Sequence, residues 1–158
     1  MNKSKGFTII ELIVVIAIIA VLAAIVLANV TGFINKGKDA AAEGNLATLI
    51  TNATLFYSDT NKGDSTYNGF PADSSYISVI DALSNAGYAV TFTCDTGSDC
   101  HTAATSWCAS VLLKANSEYY CVDSTGAKFM GTKQCQVTGG VAACGIPTPP
   151  ETPPPTQP

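Results

Sequence analysis

The stretch KGFTIIELIVVIAIIAVLAAIVLANV, Lys5 to Val30, decides how the rest of the chain is read. Leu12 to Ala28 is an unbroken apolar run of seventeen residues, and Phe7 to Ile10 extend it towards the N-terminus. About 20 such residues in a helix cross a hydrocarbon core of roughly 30 Å. Lys3 and Lys5 come before it, so the excess of cationic residues on the cytoplasmic side of membrane proteins predicts a cytoplasmic N-terminus with the remainder of the chain across the membrane. One carboxylate, Glu11, interrupts the apolar character. On insertion scales a charged side chain costs about 2.5–3.5 kcal/mol at the bilayer centre and less near an interface. Two readings of Glu11 stand at this point. It lies in the first turns at headgroup depth, where the positive end of the helix dipole steadies it, or it pairs with a cation supplied by another subunit.

The apolar run does not end as a cleaved secretory signal would, with a short apolar stretch followed by a small-residue cleavage site. It passes without a turn signal into TGFINKGKDAAAEGNLATLITNATLFYSDT, and no proline occurs before Pro71. Leu46, Leu49, Ile50, Ala53, Phe56 and Tyr57 recur at the spacing of an amphipathic helix. The spacing predicts one helix from Phe7 to Ser58, roughly 75 Å long at 1.5 Å per residue. Residues 7–30 form its membrane or filament-core part, apolar on all sides, and the second half has one apolar face. Gly32, Gly37 and Gly44 each weaken the middle by up to about 1 kcal/mol relative to alanine.

The run Lys5-Gly6-Phe7-Thr8-Ile9-Ile10-Glu11-Leu12 resembles the class III signal of type IV pilins and pseudopilins: a short basic leader, glycine, then a Phe-Thr-Ile-Ile-Glu-Leu start to a long apolar helix. The resemblance covers about the first thirty residues. It implies that prepilin peptidase cuts after Gly6, removing a leader of residues 1–6, and that Phe7 becomes the mature N-terminus and is N-methylated. It also implies that Glu11 attracts the N-terminal amine of a neighbouring subunit during assembly, that an inner-membrane platform drives that assembly, and that the helix sits in membrane lipid beforehand. A buried charge with a partner costs far less than one alone, and here the partner exists only after cleavage. Many pilins carry a proline, associated with a kink or local melting of the helix, at the position of Ala28; this chain departs from that pattern, so the family's kink is not carried over to it.

Residues 59–145 are the length of one small domain. Against eight basic residues, all lysine, stand twelve acidic ones, a net charge of -4. That leaves no basic face for bulk nucleic-acid binding. Cys94, Cys100, Cys108, Cys121, Cys135 and Cys144 all follow the apolar segment, contain no C-x-x-C, and meet a single histidine, His101. Zinc spacings are not available, and an even cysteine count behind a membrane-type segment predicts disulfides in an oxidising compartment. Proximity in sequence suggests 94–100, 108–121 and 135–144 among fifteen possible pairings. With a four-residue loop at Lys114–Ser117, however, Cys108 and Cys121 sit one diagonal step apart on one sheet face.

YAVTFT, WCASVLL and EYYCVD read as strands, with KFM as a weaker fourth, and Asp73 or Ser74 caps a short helix through Ile77, Ile80 and Leu83, closed by Gly87. A long helix, a loop and then strands predict an α+β fold: a pilin-like long N-terminal helix with its C-terminal half packed on a small antiparallel β-sheet head. Asp59, Asn61 and Asp64 have the composition of a calcium loop but not the order of one. Asp95-Thr96-Gly97 repeats the aspartic-protease triplet in what reads as a turn, and His101 has no nucleophile or orienting acid around it. No cofactor or catalytic role is expected. Residues 146–158 contain seven of the eight prolines and read as an extended, solvated fringe, with an adhesive ligand or glycosylated stalk as the alternative.

The leading expectation is the structural subunit of a type IV pilus, polymerised with itself and other pilins for adhesion, twitching motility or DNA uptake. It would be a single-pass inner-membrane protein before assembly and extracellular after it. The rivals are a pseudopilin of a type II secretion or competence system, working in the periplasm, and a monomeric single-span anchored binding module.

Overall fold

The protein is described by a computed structural model covering residues 6–97, Cys100 and residues 103–145. Expectations for Met1–Lys5, His101 and the segment from Ile146 lie outside the described residues. Helix α1 spans Ile9–Ser58. It begins two residues later than the sequence predicts, because Thr8 stands outside the helix as its cap. Residues up to Gly37 form one compact unit and those from Lys38 onward another.

In the first unit every large apolar side chain from Phe7 to Ile34 is exposed. This is the one helix among the described residues long and apolar enough to cross a membrane.

In the second unit α1 buries Ala42, Leu46, Leu49, Ala53 and Phe56. That is the predicted face, extended one turn towards the N-terminus by Ala42 and Asp39. A 3₁₀ turn (Phe70–Ala72) leads to α2 (Ser74–Asn85). Asp73 caps α2, accepting from the Ser75 amide at 2.9 Å, and Gly87 follows it at φ 80°. The buried face of α2 is Val79 and Leu83, with Tyr76 packed against the same core. Ile77, expected inside, is 44% exposed. Isoleucine and valine score alike in a periodicity, and the aromatic contacts of Tyr76 decide which side turns inward. Those contacts centre on Phe70, whose ring centroid lies 5.2 Å from Phe56, 5.4 Å from Tyr76 and 6.2 Å from Trp107.

Strands β1 (Val90–Cys94), β2 (Trp107–Leu112), β3 (Tyr119–Asp123) and β4 (Lys128–Gly131) form an antiparallel sheet in that order. Its inner face carries Trp107, Ala109, Val111, Tyr120 and Val122 and shares one core with α1 and α2. Full burial of a large apolar side chain contributes about 1.5–3 kcal/mol, so α1 and the inner face hold each other. The outer face carries Cys108, Ser110 and Cys121. A hairpin not anticipated from the sequence, β5 (Gln136–Thr138) with β6 (Val141–Ala143), turns through Gly139 and Gly140 at φ 63° and 78°. Two consecutive left-handed residues match the hand of hairpin strands, and only glycine adopts them without strain.

Candidate assembly site

Gly6, Phe7 and Thr8 precede α1 as exposed, non-helical chain, so the Gly6–Phe7 bond is not locked in helical hydrogen bonding. Thr8 and Glu11 then form a reciprocal cap. The Thr8 amide donates to Glu11 Oε2 at 2.8 Å, the Thr8 hydroxyl donates to the same oxygen at 2.7 Å, and the Glu11 amide donates to Thr8 Oγ1 at 3.4 Å. This is the Thr-x-x-Glu capping box, which satisfies amides that the first turn leaves without partners. Taking Glu11 only as a charge in an apolar run misses the box, although Thr8-Ile9-Ile10-Glu11 spells it. Glu11 Oε1 makes no hydrogen bond among the described residues, and the carboxylate borders an open apolar trough of Phe7, Ile10, Val14 and Val15. The arrangement can therefore receive a cation on one carboxylate oxygen while the other continues to cap the helix.

The head is fastened at its C-terminal end. All three disulfides are formed: Cys94–Cys100 as sequence proximity suggests, then Cys108–Cys135 and Cys121–Cys144. The suggested 108–121 and 135–144 pairs are wrong. Cys108 faces Asp123 and Cys121 faces Ser110 in the β2–β3 register, so the two thiols lie a diagonal step apart, as the four-residue loop requires. The unanticipated segment carrying Cys135 and Cys144 covers that face instead and brings each new pair to Cα separations of 5.5 and 5.6 Å. Three buried polar side chains hold the same segment. Ser110 Oγ accepts from the Cys135 amide at 3.1 Å, Ser106 Oγ from the Ala142 amide at 2.9 Å, and Asp123 Oδ2 from the Cys144 amide at 3.3 Å.

Asp39, 4% exposed, ties α1 to the rest of the head. Its carboxylate accepts from the Tyr88 hydroxyl at 2.6 Å and from the amides of Lys114 and Ala115 at 2.9 and 2.8 Å. Burial alone would raise its pKa, but the Lys114 amide, the Tyr88 hydroxyl and the Ala115 amide together hold it below the ordinary aspartate value. Burial, with the Asp39 charge beside it, pushes the Tyr88 hydroxyl up. Lys62 pairs with Asp73 at 2.8 Å, and that bond, with the Ser75 donors, lowers Asp73 to about 2.

Asp95-Thr96-Gly97 is a turn. The Cys94 amide donates to the Gly97 carbonyl at 2.9 Å, and Asp95 Oδ2 accepts from the Thr105 amide and hydroxyl and the Ser106 amide. Asp59 accepts from the Asn61 amide at 2.9 Å. Among the described residues no three His, Cys, Asp or Glu side chains converge as metal ligands would.

A long apolar helix followed by a small antiparallel sheet is the α+β, pilin-like class of fold. Residues 1–27 match the family described as the prokaryotic N-terminal methylation motif. The chain is 40% identical over 60 residues to the type IV major pilin protein PilA of Myxococcus xanthus, a match covering 38% of this chain and 27% of that one. It is 47% identical over 64 residues to fimbrial protein Q of Moraxella bovis, covering 39% and 41%. To the type IV wide pilus major component PilA4 of Thermus thermophilus it is 36% identical over 61 residues, covering 39% and 47%. The chain therefore spans less than half the length of the curated relatives it matches. No solved structure matches it. The motif and the relatives agree over the N-terminal part of the chain, which is similar to type IV pilins.

Proposed function

We propose that the protein is a structural subunit of a type IV pilus, processed after Gly6 and polymerised through its N-terminal helix. The observation that carries the reading is the exposed apolar surface of α1 from Phe7 to Ile34, with a single carboxylate one turn inside its start. Exposed apolar patches on soluble monomers rarely exceed a few hundred Å². A helix bare on all sides requires lipid or other helices around it.

Cleavage between Gly6 and Phe7 creates an α-amino group at Phe7 with a pKa of about 7.7–8, cationic at neutral pH. In the bilayer Glu11 sits near the interface, steadied by the Thr8 cap and the helix dipole. When a second processed chain arrives, its amine meets the free oxygen of Glu11 and the cap is retained. Helices then replace lipid around one another, and the unpaired-charge penalty falls as filament forms. Unprocessed chains lack that amine at Phe7 and do not enter. The three disulfide bridges of the head resist its unfolding. The subunit acts by packing and has no catalytic role.

Shearing cells and assaying both sheared material and membranes for this chain tests the reading. A surface filament places the mature chain in the sheared fraction. A pseudopilus uses the same junction but leaves the chain with the cell envelope. An anchored binding module leaves it in membranes and tolerates substitution of Glu11.

A further inference from the structure

The segment between α1 and α2 carries the chain's one asparagine followed by glycine, Asn68-Gly69. Asparagine is a labile side chain, and glycine after it gives the most reactive setting for a steric reason. The glycine amide nitrogen reaches the asparagine side-chain carbon with no Cβ beside it to obstruct the ring that forms. Asn68 is exposed, and a Cβ built on Gly69 would meet nothing within 4 Å, so neither space nor water is lacking. Hydrogen bonding is what closes the site. The Phe70 amide donates to the Tyr67 carbonyl at 3.0 Å, and Gly69 lies at φ 77°, ψ 4°, a type II turn that takes glycine in its third place. The Gly69 amide, the nucleophile such a reaction needs, donates instead to the Cys100 carbonyl at 3.1 Å, beside a bond of 2.8 Å from the Tyr67 amide to the Ala104 carbonyl. Cys100 presents that carbonyl from a backbone φ of 48°, a region that residues other than glycine seldom occupy. Its buried side chain is bonded to Cys94, the last residue of β1. The cross-link keeps Cys100 in place against Gly69; without it, that residue relaxes and the amide is released.

We propose that Asn68-Gly69 is a deamidation site that the Cys94–Cys100 bridge keeps closed. In a head without the bridge, the Gly69 nitrogen gives up its proton and attacks Cγ of Asn68. A new C–N bond closes a succinimide, and the side-chain nitrogen leaves as ammonia, taking up that proton. Water then opens the ring at either carbonyl. The products are aspartate or isoaspartate at position 68, each adding one negative charge. Isoaspartate also inserts an extra backbone carbon between Tyr67 and Phe70, both of them buried. Phe70 is the ring on which Phe56, Tyr76 and Trp107 converge, so the lesion displaces the centre of the aromatic core. The bridge thus protects the head from a slow covalent change, and a head that lacks it accumulates that change.

The test incubates the full chain in detergent at mildly alkaline pH and follows aspartate and isoaspartate at position 68 by peptide mass mapping. Three samples are compared: the oxidised chain, Cys94→Ser with Cys100→Ser, and the oxidised chain unfolded in urea. The expected result is slow conversion in the oxidised chain and conversion about tenfold faster in the double variant, with Trp107 fluorescence still that of a folded head. Tenfold corresponds to about 1.4 kcal/mol, the scale of one hydrogen bond. Equal rates in the oxidised chain and the folded double variant overturn the proposal, as does an oxidised chain that converts as fast folded as in urea. Should the double variant not fold, hydrogen exchange of the Gly69 amide in the oxidised chain decides. Protection of that amide supports the proposal, and exchange at the rate of a free, exposed amide overturns it.

Discussion

Replacing Asp39 removes one side chain and strands three donors. In Asp39→Ala the Tyr88 hydroxyl and the amides of Lys114 and Ala115 lose their acceptor. Hydrogen bonds to a charged group contribute about 1.5–3 kcal/mol each, and a buried donor left unmade costs about 1–3 kcal/mol. Three such losses do not add in full. Ala115 is exposed and Lys114 lies in the same hairpin loop, so both amides regain water. Tyr88 is 4% exposed and does not. The expected loss is about 3–4 kcal/mol, with Asp39→Asn, which keeps one acceptor oxygen, losing roughly half as much. The readout is denaturant unfolding of the oxidised full chain in detergent, followed by fluorescence of its single tryptophan, Trp107. The acid limb gives a second reading. The Asp39 carboxyl titrates below its ordinary value when folded, so its contribution is present above the unfolded pKa of about 4 and is lost as pH falls through the folded one. Asp39→Ala should flatten that part of the pH profile. A loss under about 1 kcal/mol, or an unchanged acid limb, refutes the claim that Asp39 holds α1 to the sheet.

Glu11→Ala should leave processed protein in the membrane and stop filament formation, and normal filaments on electron micrographs of that mutant overturn the role given to the residue. Thr8→Ala removes only the cap, about 0.5–2 kcal/mol of helix stability, and should lower filament yield without abolishing it. Non-reducing peptide mapping should link Cys108 to Cys135 and Cys121 to Cys144; a peptide joining Cys108 to Cys121 contradicts the register. Cys144→Ser should cost about 2–4 kcal/mol by the same unfolding assay. Gly63→Ala places a Cβ 2.4 Å from the Phe56 carbonyl oxygen and 2.5 Å from that of Thr66. Backbone must move, for a loss of about 1–3 kcal/mol, and a neutral result would show that the loop after α1 is laxer than its packing indicates.

Much of the fold was legible because the features that stabilise it most recur along the chain. The buried face of α1 shows a spacing of three and four residues, and four strands carry branched and aromatic residues in short runs. What sequence did not disclose depends on tertiary choice. Asp39 breaks an apolar period and is invisible to a search for one, yet it is buried because three donors converge on it. Ile77 and Val79 are alike in hydropathy, and only Phe70 and Phe92 around Tyr76 separate them. The β5–β6 hairpin is three residues a side, with Val137 and Val141 exposed. Its Gly139-Gly140 turn was a signal available in the sequence. Without that hairpin, proximity in sequence pairs the wrong cysteines, because nothing then covers Cys108 and Cys121. At the candidate site Glu11 stands out in the sequence as a charge in an apolar run, whereas its bond to Thr8 is spelled only by the four-residue motif Thr8-Ile9-Ile10-Glu11.

Whether cleavage after Gly6 licenses assembly is decided by the mass of the N-terminal peptide, taken from membranes and from sheared surface material. A peptide that begins at Phe7, carries one methyl group and occurs in the sheared fraction is the predicted result. A peptide retaining Met1 to Gly6 in assembled material would contradict it, because the amine that Glu11 is held to receive would not exist there.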